Sequence, residues 1–336
     1  MMKYLFCCLY LLFNLLSFQN LNAQTLSLAH YNVENLFDTI DDPRVQDEEF
    51  LPTAEKGWNA ERYARKLDRL ASVIAQLGDA DGPEWLGLCE VENAAVVNDL
   101  LSHQLLKKHR YQLVHFDSPD ERGIDVAFAY KKGHLKQVKA KAVDITDPSD
   151  STFKTRNILL VSGRLKNGQP VHFLVNHWPS RWGGKEKSEP KRILAAQTAR
   201  KLVDSLGQHH PQSVVFVLGD LNDGASDSSV LHFLGSDSLL GPLYNPFYAL
   251  EKAGEGSIVY RGQAEQIDHI LFTQNLLQAP YKLQYINNSA AVFKPDFLRE
   301  AEGRFKGNPW RSYAGNRYLD GYSDHFPVYL HLTLKK

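Results

Sequence analysis

An α/β fold of two packed β-sheets flanked by helices is what this 336-residue sequence predicts. Three observations point to it. Short apolar runs rich in branched residues mix with amphipathic helical segments along the whole chain, and the runs outnumber what one sheet comfortably holds. Neither a Gly/Ser/Pro-rich linker nor a repeat of fixed period divides them. Hydrophobic residues at 43% and charged residues at 23% place the chain among globular proteins able to bury a full core.

The elements follow in order. Met1 to Ala23 carries Lys3, an apolar run from Tyr4 to Leu16 and a polar stretch ending Leu21-Asn22-Ala23, the layout of a secretory signal peptide cleaved after Ala23. The run is too short for a transmembrane helix, so the expectation is a secreted or periplasmic protein with residues 24–336 as one domain. Only Cys89 of the three cysteines would remain, which excludes an intrachain disulfide. Leu26–Val33 reads as a first strand, and the acidic stretch Asp38–Pro52 as a loop. Tyr63, Leu67, Leu70, Ile74 and Leu77 recur at helical spacing and predict an amphipathic helix within 58–77. Trp85–Val91 is a buried strand, followed by a helix over 94–107. Ile124–Tyr130, Asn157–Leu165 and Val171–Asn176 are further strands. Ser188–Leu206 predicts a helix capped by Ser188, with Pro190 in its first turn and Gly207 after its end. Val214–Leu218 and Phe326–Leu334 complete the strands.

The candidate functional residues share one position, the ends of these apolar runs. Asn32, Glu90, Asn176, His177, Asp220 and Asn222 follow strands, while Asp268-His269 and Asp324-His325 precede them. A carboxylate at the lip of a core strand costs desolvation unless a cation or donor meets it. Strand ends of packed sheets converge on one rim, and carboxylates, amides and imidazoles gathered there suit a hard divalent cation with histidines left for proton transfer. Taken singly, each has a structural reading: a turn at 219–222, a buried satisfied amide at Asn32, a helix N-terminal carboxylate at Glu90. The chain carries no Gly-x-Ser-x-Gly elbow, Walker loop, His-Glu-x-x-His or cysteine metal cluster. That argues against covalent serine chemistry, nucleotide triphosphatase chemistry and structural zinc.

Seven ordered segments carry a resemblance: Tyr-Asn-Val-Glu-Asn-Leu-Phe (31–37), Cys-Glu-Val-Glu-Asn (89–93), Arg-Gly-Ile-Asp (122–125), Val-Asn-His-Trp (175–178), Gly-Asp-Leu-Asn (219–222), Ile-Asp-His (267–269) and Ser-Asp-His-Phe-Pro-Val (323–328). In these the sequence resembles the endonuclease/exonuclease/phosphatase superfamily that contains deoxyribonuclease I, with its opening and Glu90 segments nearest secreted bacterial nuclease-like members. The resemblance implies a four-layer α/β/β/α sandwich and a metal-dependent phosphodiesterase, most simply a nuclease. It implies Asn32, Glu90 and Asp324 around Mg²⁺, with Mn²⁺ or Ca²⁺ as alternatives, and Asp220 and Asn222 orienting the attacking water. It further implies His325 held by Asp268 as the acid/base imidazole, and His177 with Asn176, Arg156 and Arg181 on the scissile phosphate. Asp125 lies near the place of a partner for His177, and the general base stays open between Asp220 and His325.

The charges are nearly balanced, Lys+Arg 38 against Asp+Glu 39, so no global field announces a polyanion. Two local segments compensate. Trp178–Arg192 carries Arg181, Trp182, Lys185, Lys187, Lys191 and Arg192; Arg299–Tyr322 interleaves Arg304, Lys306, Arg311 and Arg317 with Phe305, Trp310, Tyr313, Tyr318 and Tyr322. Cations and rings in that pattern suit a nucleic acid, against the alternatives of a solvated helix start and a packed tyrosine-rich loop. The competing functions are hydrolysis of a phospholipid or inositol phosphate head group, and a non-catalytic binding domain on the same fold. No obligate protein partner is implied.

Overall fold

A computed structural model describes residues 23–237, 241–278 and 281–335. The signal peptide expected over 1–23 lies outside them except for Ala23, which opens the first strand opposite Lys335.

Two mixed sheets form the centre. The first runs in the order β13-β17-β1-β2-β4-β3, from β1 (Ala23–Leu36), β2 (Trp85–Val91), β3 (Tyr111–His115), β4 (Asp125–Lys131), β13 (Leu283–Tyr285) and β17 (Val328–Lys335), with β14 (Ala291–Val292) added on β17. The second runs β5-β6-β7-β8-β12-β9, from β5 (Lys136–Val143), β6 (Ile158–Arg164), β7 (Pro170–His177), β8 (Val214–Asp220), β9 (Leu243–Tyr244) and β12 (Asp268–Thr273). Each has a parallel pair at its heart, β1–β2 and β7–β8, bracketed by antiparallel neighbours. Two hairpins stand apart: β10 (Ile258–Tyr260) with β11 (Gln263–Glu265), and β15 (Tyr313–Ala314) with β16 (Arg317–Tyr318).

Side-chain alternation assigns every strand residue to one of two faces. Leu26 and Leu28 of β1, Trp85, Phe128, Phe173, Phe216 and Ile270 face inward between the sheets, where Phe173 stacks on Phe216 at 5.3 Å and meets Trp85 at 5.2 Å. The opposite face of the first sheet, through Ala29, Tyr31 and Leu88, packs on α1 (Ala60–Ile74) and α3 (Ala94–Ser102), with the single turn α2 (Leu77–Ala80) beside them. The opposite face of the second, through Leu174, Val217 and Leu271, packs on α4 (Lys185–His209). The result is the helix–sheet–sheet–helix sandwich. A short α5 (Phe247–Lys252) follows β9.

Local chemistry sets the helix ends. Asn59 and Asn93 cap α1 and α3 by accepting from Arg62 N at 3.0 Å and Ala95 N at 2.7 Å. Helix α4 starts at Lys185, earlier than the Ser188 cap the sequence suggests. Ser188 is buried inside the first turn, where its Oγ donates to Gly184 O at 2.7 Å and accepts from Arg192 Nη1 at 2.8 Å. The strands that sequence reading misses are mostly short ones and sheet edges. Strand β5 carries exposed lysines at 136, 139 and 141, the charged edge that discourages pairing with another chain.

Candidate active site

The same alternation builds the site at the rim. His30 and Asn32 continue the inward face of β1 beyond Leu28; His177 continues Val175, Asp220 continues Leu218, and Asp268 precedes Ile270. Glu90 should point outward by parity, but the ladder shifts register between Cys89 and Val91, and Glu90 takes a left-handed φ of 62°. Glu34, Asn35 and Asn222 are also left-handed, at 50°, 52° and 52°. Such conformations cost free energy in non-glycine residues and concentrate at functional sites. Gly219 has φ 143°, and a Cβ there would stand 1.9 Å from Asn176 O, so β7 and β8 can close around the site only over glycine.

Asn32 is the joint between the sheets. Its Nδ2 donates to Glu90 Oε1 at 3.2 Å and to Asp220 Oδ2 at 3.1 Å, while its Oδ1 accepts from Glu34 N at 3.0 Å. It therefore presents donors to the carboxylates and accepts one backbone N–H on its oxygen, so in this arrangement it orients the expected metal ligand Glu90. Asn35 N holds the other Glu90 oxygen at 3.0 Å. Ser323 Oγ donates to Asn32 O at 2.7 Å and accepts from His325 N at 3.1 Å, tying the segment before β17 to β1.

Asp268 is wholly buried between two imidazoles. It accepts from His325 Nδ1 at 2.7 Å and from His30 Nε2 at 2.9 Å. Burial alone would raise its carboxyl, but the His325 charge and both hydrogen bonds hold it well below the usual range. Burial opposes charge on His325, yet Asp268, then Asp220 and Asp324, raise it well above an ordinary histidine. Its Nε2 is left 3.9 Å from Asp220 Oδ2 and 3.9 Å from Asp324 Oδ1. Asp220 is pushed up to about 7 by burial and by the negative charges of Asp268 and Glu90. His177 Nε2 sits 3.7 Å from Asp220 Oδ2 and 4.0 Å from Glu90 Oε1. Burial, with Arg156, Arg122 and His325 nearby, keeps His177 neutral. Asn222 donates its backbone N–H to Asp220 Oδ1 at 2.8 Å. Thus Asn32, Glu90, His177, Asp220, Asn222, Asp268 and His325 meet in one place, with Asp324 at its edge.

The residues expected on phosphate sit differently. Asn176, one position off His177, faces the helix side of β7, where it donates to Leu174 O at 2.8 Å and accepts from Trp178 Nε1 at 3.0 Å. Arg156 is buried on Asp120 at 3.0 Å and Trp178 O at 2.8 Å, acting on His177 only through its charge. Arg181 is held by Glu265, by Asn222 O at 2.6 Å and by Asp227 at 3.4 Å. Asp125 bonds His115 at 3.1 Å instead of His177. The guanidiniums left partly open are Arg122 and Arg311, with side chains 52% and 45% exposed. Arg311 bonds Asp324 at 2.5 Å.

The aromatic segment is largely structural. Tyr313 joins Phe37, Phe50 and Trp58 in a core, Tyr318 packs on Tyr313, and Trp310 and Tyr322 enclose Arg69 at 4.9 and 4.8 Å. Sequence reading passed over three groups. His30 had the signal of standing two residues before Asn32 on the same strand face. Glu34 is pushed up to about 7 by burial and Asp324. Lys66 arrives from α1 to bond Ser312 Oγ at 2.6 Å and Tyr322 O at 2.7 Å, a long-range contact with no local signature.

The donor set fits a divalent cation. Carboxylate oxygens of Glu34, Glu90 and Asp324 act together on Arg311, and Asp220 is raised by its negative neighbours, an excess of oxygen charge that a hard cation relieves. Asp220, Asp268 and His325 also place ligand atoms within 4.8 Å of one another, although Asp268 is already engaged by its two histidines.

A four-layer sandwich with carboxylates, imidazoles and open guanidiniums at its rim defines a phosphoric ester hydrolase. The chain belongs to the Endonuclease/Exonuclease/phosphatase family, whose model matches residues 27–334. Among solved structures it is similar to a mannosyl-6-phosphatase from Bacteroides thetaiotaomicron, at 18% identity and TM-score 0.57, over 91% of this chain and 99% of that one. It is similar to D. rerio TDP2 complexed with single strand DNA product, at 15% identity and TM-score 0.53, over 92% and 99%. The human Nocturnin catalytic domain with bound sulfate matches at 16% identity and TM-score 0.53, over 93% and 95%. These likenesses are likenesses of fold. No curated protein matches the sequence significantly.

Proposed function

We propose that this phosphoesterase is an exported, Mg²⁺-dependent phosphodiesterase that hydrolyses nucleic acid. The observation that carries the diester reading is that clefts border the site both at Asn222 and at the Asp324–His325 segment. One cleft of about 300 Å³ has Asp324, His325 and Arg311 in its wall; another of about 860 Å³ has Asn222 and Arg181. A terminal monoester needs room on one side of phosphorus, whereas a diester needs it on both.

A divalent cation held by Glu90 and Asp324 would supply positive charge to the non-bridging phosphate oxygens. The chain's own residues do the rest. Asp220, oriented by Asn222 N and Asn32, positions the attacking water. His325 Nε2, aimed by the Asp268 bond at Nδ1 and already carrying its proton, lies beside that carboxylate as a charged hydrogen-bond donor, and Asp220 takes the water's proton. Neutral His177 faces the same point with Nε2 and hydrogen-bonds the leaving oxygen, which takes its proton from solvent. Arg122 and Arg311 take the phosphate role expected of Arg156 and Arg181. Export rests on the signal layout of residues 1–23.

A panel of plasmid DNA, RNA, a chromogenic phosphodiester, a phosphomonoester and phospholipid vesicles tests this on purified 24–336. Cleavage of nucleic acid that EDTA, Glu90→Ala and His325→Ala each abolish is expected. Hydrolysis confined to the monoester or the lipid would replace the nuclease reading.

A further inference from the structure

Three aromatic side chains are more than half exposed among the described residues: Trp182 at 91%, Phe305 at 56% and Tyr260 at 54%. All three border the two clefts of the site. Trp182 and Tyr260 both line the larger one, and Tyr260 and Phe305 the smaller, which His325 also lines. Tyr260, on the β10–β11 hairpin, is common to both and so links the two other rings through adjoining clefts. Each has a cation near it. Arg261 lies over the Tyr260 ring at 5.2 Å and Arg304 over Phe305 at 5.6 Å, while Lys185, half exposed although paired with Asp227, lines the larger cleft together with Trp182.

A ring standing in water is apolar surface that folding has left unburied, and three at one rim call for a ligand with flat apolar faces. Cations interspersed with the rings call for a ligand that repeats a negative charge between those faces. Unstacked bases on a phosphate backbone meet both demands. A duplex does not, because its base faces are covered by stacking and only edges and phosphates remain outside.

We infer that Trp182, Tyr260 and Phe305 form a stacking track for a single-stranded nucleic acid, taking bases on both sides of the scissile phosphate. The inference rests on the nuclease reading and names its substrate class.

The test uses the fluorescence of Trp182. Trp58, Trp85 and Trp178 are buried and Trp310 is packed against Arg69 and Tyr322, so quenching by a stacked base reports Trp182. Purified 24–336 in EDTA, which halts hydrolysis, is titrated with single-stranded oligothymidylate, a duplex of equal length, phosphomannan and phosphatidylglycerol vesicles. The expected result is saturable quenching by the single strand, which binds about tenfold tighter than the duplex. The quench disappears in Trp182→Ala. With a labelled oligonucleotide, Tyr260→Ala and Phe305→Ala each weaken binding about 5- to 150-fold. Phe233→Ala, at an exposed ring lining neither cleft, binds like wild type. Unchanged melting temperatures show that the ring variants fold. Equal affinity for duplex, or ring variants that bind like wild type while nucleic acid is still cleaved with metal, overturns the track and leaves the nuclease reading standing. Quenching by phosphomannan or vesicles with none by the oligonucleotide, and no nucleic-acid cleavage, overturns both.

Discussion

Replacing Asp268 by asparagine keeps the side chain's shape and removes one charge from between two buried imidazoles. The carboxylate accepts at 2.7 Å from His325 and at 2.9 Å from His30, both nearly free of solvent. An asparagine can accept from one of them and turns an N–H₂ toward the other. Removing one partner of a buried charged pair costs about 3–5 kcal/mol, and one neutral bond survives, so a loss of about 3 kcal/mol in stability is expected. The chemical step loses the aim of Nε2 and the raised affinity of His325 for its proton, and kcat/KM should fall by about 10²–10⁴. The pH dependence has a definite sign. His325 is raised above its ordinary 6.5, so its contribution is full below 6.5 and is lost as pH climbs through the folded value. Asp268 is lowered below its ordinary 3.8, so its contribution is full above 3.8 and is lost as pH falls through the folded value. The stability gap between wild type and Asp268→Asn is therefore widest between these two values. Urea melts across pH and kcat/KM on a chromogenic phosphodiester measure both effects. A variant active within about threefold of wild type, or a gap that does not change with pH, refutes the role given to the Asp268–His325 pair.

Other expectations follow from the same geometry. Mg²⁺ at a hundred times its Kd should stabilise the protein by about 2.7 kcal/mol; Glu90→Ala should erase that rise in melting temperature, and a retained rise would place the cation elsewhere. Gly219→Ala drives a methyl into Asn176 O and should destabilise by more than about 4 kcal/mol, seen as insoluble or urea-sensitive protein. Trp85→Ala, at the centre of the inter-sheet core, should cost about 3–5 kcal/mol in urea unfolding. Burial raises Glu92 to about 7, so wild type should lose stability relative to Glu92→Gln as pH rises from 4.5 to 7, and a constant difference in parallel melts of the two proteins would refute this.

The strand-end placement of the chemistry was legible because alternation is local. Once a run of apolar residues is recognised, the identity of its last inward position follows, as it does for Asp220 and His177. The same rule, applied one residue more strictly, separates His177 from Asn176 and brings in His30. Glu90 obeys the rule only after the backbone breaks it, and a left-handed residue at a ladder shift leaves no mark in a single sequence. Arg156 and Arg181 were misplaced for a different reason. Which guanidinium stays open is decided by Asp120, Glu265 and Asp227, carboxylates distant in sequence whose pairing is known only once the chain has folded. The tyrosine-rich segment misled because composition cannot tell a ring that packs from one that projects.

Each sheet carries the same arrangement of one parallel pair between antiparallel neighbours, and each supplies about half of the reactive groups. Asn32 and Glu90 lie in strands of the first and His325 just before its β17; His177, Asp220 and Asp268 lie in strands of the second. Within 23–335 no disulfide crosses between them, since Cys89 is a free buried thiol, and most of what joins them is non-directional apolar packing. A slip of one sheet along the other would leave the hydrogen-bonded ladders within each sheet intact and still separate His325 from Asp268. Catalysis is thus a finer gauge of inter-sheet alignment than any measure of secondary structure. On gentle heating, activity should disappear while the circular dichroism of both sheets is still whole.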